Sequence, residues 1–276
     1  MTYLADKPKA PITLSTLTKY KKNGEKFSCL TCYDASFAHL MGLAQIDTIL
    51  VGDSLGMVVQ GQSSTLPVTV ADMAYHTANV ARGNSHALII TDLPFMSYAT
   101  LDDAIVSSRA VMQAGANVVK IEGGSELAPI VQTLSQNGVP VCVHLGLTPQ
   151  SVNVFGGYKV QGKTDAQAEK LLKDCEVLVN AGASMILLEC VPSVLAKQVT
   201  ESFAVPVIGI GAGVDTDGQV LVMHDMLGVY TRKPAKFVKD FLNDDGNETG
   251  DIVGAFKNFH QAIKAQTFPS MAHSFV

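Results

Sequence analysis

Thr48-Ile-Leu-Val-Gly-Asp-Ser-Leu-Gly-Met-Val-Val-Gln-Gly61 begins as a short apolar run and stops at Gly52-Asp53-Ser54. A buried strand that ends on a carboxylate is a costly place for a charge unless a metal, a cationic partner or water receives it. The stretch therefore sets the question for the whole chain: which other strands end in matching chemistry?

Working outward, the same unit recurs. Phe27-Ser-Cys-Leu-Thr-Cys-Tyr33 reads as a strand ending at Asp34, with a helix over 35–41 behind it. Ala87-Leu-Ile-Ile-Thr91 ends at Asp92, Val118-Val-Lys-Ile-Glu122 is stopped by Gly123-Gly124, and Val139 to His144 is a fifth strand. Met185 to Glu189 is the sixth and Val205 to Gly211 the seventh, while Gln219 to Asp225 reads as the eighth. Between them lie helix signals: capping boxes or caps at Thr69-Val-Ala-Asp72 and Thr100-Leu-Asp-Asp103, and a glycine stop at Gly115. A Gly-rich connection over 145–163 precedes a helix through Val179, and the sequence after Leu55 reads as a loop over 55–61.

Eight strand-helix alternations fit a (β/α)8 TIM barrel better than an open doubly wound sheet, although alternation alone does not prove closure. The expected organisation is a single barrel domain over 1–276. It has a short N-terminal helix segment in 1–25 and a helical C-terminal tail over 235–276, where Ile252, Val253, Phe256, Phe259 and Ile263 make a 3.6-period stripe. In both folds ligands collect at the C-terminal ends of parallel strands. Those ends read Asp34, Asp53-Ser54, Asp92, Lys120 to Glu122, His144, Glu189, Gly209 to Gly213 and Asp225.

Composition excludes other classes. The 276 residues are 47% hydrophobic with a net charge of −5, which supports a large core and offers no basic face for nucleic acid. The first ten residues lack the apolar core of a signal peptide, and no apolar run is long enough to span a bilayer. Five cysteines, an odd number in a chain of this size, are expected as free thiols in a reducing cytoplasm.

Asp53 and Asp92 are the best metal-ligand pair. Two carboxylates about 5 Å apart repel by roughly 3 kcal/mol at an effective dielectric near 20. Oxygen-only donors favour a hard ion such as Mg²⁺; the ordinary alternative is that each Asp caps a following turn. Glu122 either binds the ion, directly or through water, or pairs with Lys120, which shares its strand face. Lys120 on that face is suited to holding a substrate carboxylate or enolate. Glu189 follows Met-Ile-Leu-Leu, and an apolar neighbourhood would raise its pKa towards that of a general base. His144 reads as an oxyanion donor, a weak ligand or a satisfied core histidine.

Two motifs compete. Cys29-Leu-Thr-Cys32 lies in a strand, where positions i and i+3 face opposite sides, so structural thiols fit better than a redox pair. Gly157-Tyr-Lys-Val-Gln-Gly-Lys-Thr164 satisfies the P-loop pattern, which makes an NTPase using Lys163 and Thr164 the sharpest rival. Against it, Ser151 to Phe155 alternates unlike a buried strand, and Thr164 with Gln167 makes a capping box. Gly209-Ile-Gly-Ala-Gly213 lacks dinucleotide spacing and is read as a close backbone approach where an anionic or bulky ligand sits.

Together, Thr31-Cys-Tyr-Asp-Ala-Ser-Phe-Ala38, Val51-Gly-Asp-Ser-Leu-Gly-Met-Val-Val-Gln-Gly61, Thr65-Leu-Pro-Val-Thr69 and Asp92-Leu-Pro-Phe-Met-Ser-Tyr98 resemble the ketopantoate hydroxymethyltransferase family. So do Val119-Lys-Ile-Glu-Gly-Gly124, His144-Leu-Gly-Leu-Thr-Pro-Gln-Ser151, Phe155 to Lys163, Leu187-Leu-Glu-Cys-Val-Pro192 and Ile208 to Gly213. The resemblance runs from about residue 12 to residue 228, with small departures at Cys32 and Val143. It implies Asp53 and Asp92 as metal carboxylates with Glu122 at or near the ion. It also implies Ser54 and Lys120 on the 2-oxo acid, His144 at the substrate and Glu189 as proton acceptor. The implied reaction is hydroxymethyl transfer from 5,10-methylenetetrahydrofolate to 3-methyl-2-oxobutanoate, with Mg²⁺, in pantothenate biosynthesis by a decameric homo-oligomer. The alternatives are a metal-dependent C–C lyase on a 2-oxo acid without folate, the NTPase, and a non-catalytic scaffold; ionisable groups at so many strand ends weigh against the last.

Overall fold

The computed structural model describes residues 10–230, 233–244, 246–248 and 250–276. Eight parallel strands close on themselves in chain order: β1 (Phe27–Thr31), β2 (Thr48–Val51), β3 (Leu88–Asp92), β4 (Val118–Glu122), β5 (Val141–Gly146), β6 (Met185–Glu189), β7 (Val207–Ile210) and β8 (Gly218–Leu221). The last strand pairs with the first, Phe27 opposite Gly218, so the barrel has no edge. These strands are apolar on both faces because one face fills the barrel and the other lies under helices.

The helices are α1 (Leu14–Asn23), α2 (Ala35–Leu43), α3 (Leu55–Val58), α4 (Val70–Gly83), α5 (Leu101–Gln113), α6 (Ala128–Gln136), α7 (Val152–Phe155), α8 (Asp165–Asn180), α9 (Ser193–Ser202), α10 (Met223–Met226) and α11 (Ile252–Lys264). Helix α4 illustrates why they form. Thr69 and Asp72 close a capping box, and Met73, Thr77 and Val80 recur on one buried face. Burying Met73 and Val80 contributes about 1.5–3 kcal/mol each. Gly83 ends the helix where a Cβ would lie 2.1 Å from the Ala35 carbonyl oxygen, so α4 packs on α2 only with glycine there.

Three expectations are corrected. Leu55 to Val58 is a helical turn, not a loop, because Gly52, Asp53 and Ser54 carbonyls accept from Leu55, Gly56 and Met57. Strand β8 stops at Leu221, and Asp225 lies on α10, since the Met223 N–H turns aside to Thr31 Oγ1. Among the described residues the tail's α-helix is α11, with a single 3-10 turn at Met271–His273; the described part of 235–251 is irregular, and its turn-forming Asn243, Asp244, Gly246 and Gly250 explain why. The expected N-terminal helix is α1, stopped by Gly24 at φ 71°, while residues 1–9 lie outside the described residues. Among the described residues no helix is long and apolar enough to cross a membrane.

Candidate active site

Register brings the strand-end chemistry together. Asp92 on β3 is the Cα partner of Lys120 on β4; Glu122 is the partner of His144 on β5, and Gly146 of Glu189 on β6. Residues two apart on a strand share a face, so Lys120 and Glu122 point the same way, into the barrel mouth. Asp53 joins them just beyond β2. Ligand oxygens of Asp53, Asp92 and Glu122 all lie within 4.8 Å of one another, and all three residues are buried.

Asp53 donates its backbone N–H to Asp92 Oδ2 at 3.0 Å. Neither Asp is a helix cap with a bonded side chain, so the capping alternative fails for both, whereas Asp34 is a cap, accepting from the Phe37 N–H. Lys120 Nζ lies 2.9 Å from Asp92 Oδ1 and 3.2 Å from Glu122 Oε1. The first contact is an ion pair off hydrogen-bond geometry, which leaves Asp92 Oδ1 without a bonded donor among the described residues. His144 Nδ1 lies 3.0 Å from Glu122 Oε1, and its Nε2 3.3 Å from Glu189 Oε2. Glu122 pairs with Lys120, as one of its two readings expected, and it also stands beside Asp53 and Asp92 in the carboxylate triad.

The electrostatics follow from burial and charge count. Burial, then the Asp92 and Glu122 carboxylates, push the Asp53 carboxyl well above its usual range, and burial raises Asp92 against the pull of Lys120. Glu122 is also penalised by burial, but Lys120 and His144 overcome this and hold it down to about 2. Burial and Lys120 oppose charging His144, yet Glu122 and the contact with Glu189 raise it to about 9. Lys120 stays charged, because the three carboxylates outweigh its desolvation. Glu189 sits at the open rim with 15% of its side chain exposed, beside a protonated imidazole rather than in the apolar setting expected from its sequence neighbours.

Gln150 and Tyr98 belong to the site and were not expected. Gln150, on the connection after β5, donates from Nε2 to Asp53 Oδ2 at 2.8 Å and to the Leu93 carbonyl at 3.0 Å. Its backbone N–H reaches Glu122 Oε2 at 3.0 Å, and its Oε1 accepts from Tyr98 Oη at 2.6 Å. One buried residue thus fixes an oxygen on each of two triad carboxylates, Asp53 through its side-chain amide and Glu122 through its backbone N–H. Ser54 Oγ is 2.9 Å from Tyr33 Oη, and a Cβ on Gly52 would crowd Ser54 Oγ, at 2.8 Å.

The competing motifs resolve into structure. Thr164 caps α8 in a capping box with Gln167, and the Lys163 N–H also goes to Gln167, so the segment is a helix entry following α7 rather than a loop hung from a strand. All five cysteines are free and buried; burial pushes Cys29 and Cys32 up to about 12, away from redox reactivity. At β7 the close approach is real, but the chain itself fills it: a Cβ on Gly211 would lie 3.0 Å from both Phe237 and Phe275.

Comparison with known proteins gives the geometry its context. A family profile described as ketopantoate hydroxymethyltransferase matches residues 11–271, well past the stretch where the sequence motifs run out. A 3-methyl-2-oxobutanoate hydroxymethyltransferase of Psychrobacter sp. (strain PRwf-1) is 65% identical over 96% of this chain and 99% of its own length. One from Psychrobacter arcticus is 66% identical over 95% and 99%, and one from Acinetobacter baumannii (strain AYE) 62% over 96% and 98%. Among solved structures, a phosphonopyruvate hydrolase complex with oxalate and Mg²⁺ aligns with TM-score 0.59 at 11% identity, covering 76% of this chain and 80% of that one. A 2,3-dimethylmalate lyase aligns with TM-score 0.56 at 18% identity, over 75% and 80%. At such identities these structures speak only for the barrel. The full-length relatives decide the rest: the chain belongs to the ketopantoate hydroxymethyltransferase family and is a hydroxymethyltransferase.

Proposed function

We propose that the chain transfers the one-carbon unit of 5,10-methylenetetrahydrofolate to 3-methyl-2-oxobutanoate, with water supplying the hydroxyl. The products are 2-dehydropantoate and tetrahydrofolate, in the pathway to pantothenate and coenzyme A. The observation that carries this reading is the pairing of a buried carboxylate triad within 4.8 Å with a rim carboxylate, Glu189, beside His144.

The triad fits Mg²⁺. Asp53, Asp92 and Glu122 offer only oxygen donors, buried within 4.8 Å of one another, a grouping of carboxylates that a hard cation relieves. When bound, Mg²⁺ supplies Lewis-acid stabilisation of charge developing on the keto oxygen. The chain's own groups do the rest. Lys120, held charged by its carboxylate neighbours, attracts the carboxylate of the 2-oxo acid, and Ser54 donates a hydrogen bond to it. Gln150 pins one oxygen of Asp53 and one of Glu122. Glu189 removes the C3 proton, His144 fixes its orientation, and the exposed rim gives that proton a route to solvent. Water cleaves the two C–N bonds of the methylene unit, its hydrogens passing to the folate nitrogens and its oxygen staying on the carbon. The enolate carbon adds to that carbon, whose oxygen takes up the proton lost from C3.

The enzyme is further read as cytoplasmic, in line with its five free cysteines, and as one domain. It is also read as a homo-oligomer, decameric by family resemblance, in line with exposed Met96, Leu101, Ile105 and Val106 on and beside α5. The decisive assay follows product from the 2-oxo acid with folate and Mg²⁺ each present or withheld. Dependence on both is expected. Turnover without folate would instead indicate a C–C lyase. Glu189→Gln is expected to keep substrate binding and lose exchange of the C3 proton into D₂O by at least about 100-fold; unchanged exchange removes Glu189 from the role.

A further inference from the structure

Glu189 is followed by a turn, 190–193, whose geometry is held from outside. Cys190 sits at φ 49°, a left-handed conformation that a residue with a side chain keeps only when its surroundings impose it. Its N–H donates to the Ile210 carbonyl at 2.9 Å, and its own carbonyl accepts from the Gln161 N–H at 2.9 Å. The turn then enters α9, whose N-cap, Pro192, has no side chain that can accept a hydrogen bond. A helix start leaves its first N–H groups without partners. Here the N–H of Ser193 is taken by the backbone carbonyl of Phe275, at 2.9 Å, from the far end of the sequence.

That end is anchored. Lys236 Nζ donates to the Ser274 carbonyl and lies 5.2 Å over the Phe275 ring. Ser274 is 2% exposed. The Phe275 ring packs on Gly211, and a Cβ on Gly213 would come 2.5 Å from that of Ser193. The tail, the glycines just beyond β7 and the turn behind Glu189 therefore interlock at the mouth.

We propose that the segment Ser274–Val276 is a positioning element for the catalytic base. Its Phe275 carbonyl caps α9 and fixes the 190–193 turn, so that Glu189 stays aimed at the substrate. The proposal rests on the reading of Glu189 as base. It explains why the tail returns to the mouth after α11 and why glycines stand at 211 and 213, just beyond β7.

Two variants test it, both measured for C3 proton exchange, KM for the 2-oxo acid and Mg²⁺-dependent thermal stabilisation. One ends the chain after His273. The other is Ser193→Pro, which removes the donated N–H at a helix position that tolerates proline, after a residue already extended at ψ 137°. Both are expected to lower exchange about tenfold, the scale of a small misplacement of a reacting group. KM should stay within about twofold of the parent value and Mg²⁺ stabilisation should persist, since the triad is untouched. Ser193→Ala keeps the N–H and should match the parent. Parent-level exchange in both test variants overturns the proposal. So does a joint loss of exchange, KM and Mg²⁺ stabilisation, which marks general structural damage. Glu189→Gln run alongside separates the two levels: if it loses exchange while the tail variants do not, only the tail role falls; if it keeps exchange, the base assignment falls and takes the tail role with it.

Discussion

The two ends of the barrel treat buried carboxylates differently. At the N-terminal end, Asp47 Oδ2 accepts from the Ser28 N–H at 2.9 Å and pairs with Lys264 at 2.9 Å. Asp217 Oδ2 likewise accepts from the Val207 N–H at 2.9 Å and pairs with Lys21 at 2.7 Å. Each carboxylate there has its own lysine, and each lysine belongs to a helix outside the barrel, α1 or α11. At the mouth, among the described residues, Asp53, Asp92, Glu122 and Glu189 share only Lys120 and His144. The lower end is neutralised in place and ties helices to the barrel. The upper end carries an unbalanced negative charge, and that imbalance is what a divalent cation and an anionic substrate would complete.

Removing one lysine from each end should separate the two most strongly. Lys120→Met leaves four carboxylates facing one imidazole, and in EDTA it should cost about 3–5 kcal/mol in urea unfolding. Saturating Mg²⁺ should recover a large part of that loss. Next in size is the effect of pH on the metal-free protein. His144, raised to about 9 in the fold, stabilises fully below its unfolded value near 6.5 and loses that contribution as pH rises through 9. Asp53, also raised, holds a proton that the unfolded chain has lost, so it too makes stability fall as pH rises above about 4. The Tm of metal-free protein should therefore fall between pH 6.5 and 9, and His144→Gln should flatten the slope. Lys21→Met, at the other end, should cost only about 2 kcal/mol, the scale of a hydrogen bond to a charged group. It should show no recovery with Mg²⁺ and leave kcat within about twofold, because no group at the mouth changes. Equal rescue of both lysine variants by Mg²⁺ would mean that the two ends do not differ as argued.

The sequence reads most clearly where burial and charge meet abruptly. Val118 to Glu122 and Met185 to Glu189 are strands with the expected bounds, because each apolar run stops at a carboxylate followed by a residue with φ above zero. Asp53 and Asp92 were legible as a pair for the same reason. Register is not written in any one strand, so nothing local predicts that Asp92 faces Lys120 or that His144 stands between Glu122 and Glu189. The apolar neighbours of Glu189 in sequence point into the walls of the barrel, while its neighbour in space is an imidazolium. Gln150 follows a proline in a connection with no periodicity, where a structural amide and a solvated one look alike. The glycines just beyond β7 signalled a close approach, but the partners of Gly211, Phe237 and Phe275, lie 26 and 64 residues further on, and no short-range pattern names them.

The smallest expected effect asks whether the mouth's imbalance is merely tolerated or actively shaped, and Gln150 decides it. Its side-chain amide occupies Asp53 Oδ2 and its backbone N–H occupies Glu122 Oε2, while Glu122 Oε1 is held by Lys120 and His144, so Gln150 pins one oxygen of each carboxylate. Gln150→Leu keeps the backbone bond and the volume, but strips the donor from Asp53 and the acceptor from Tyr98. With Asp53 free to rotate, Mg²⁺ should bind about tenfold more weakly, the usual scale for losing a group that orients a metal ligand. Isothermal titration reads this directly, without turnover. Gln150→Glu sharpens the result: it restores an acceptor for Tyr98 while placing a further carboxyl beside Asp53. If orientation is what matters, Gln150→Glu should not recover the affinity of the parent at neutral pH. If Gln150→Leu binds Mg²⁺ as tightly as the parent, the triad is held by its strands alone, and the mouth differs from the lower end in charge but not in how its carboxylates are aimed.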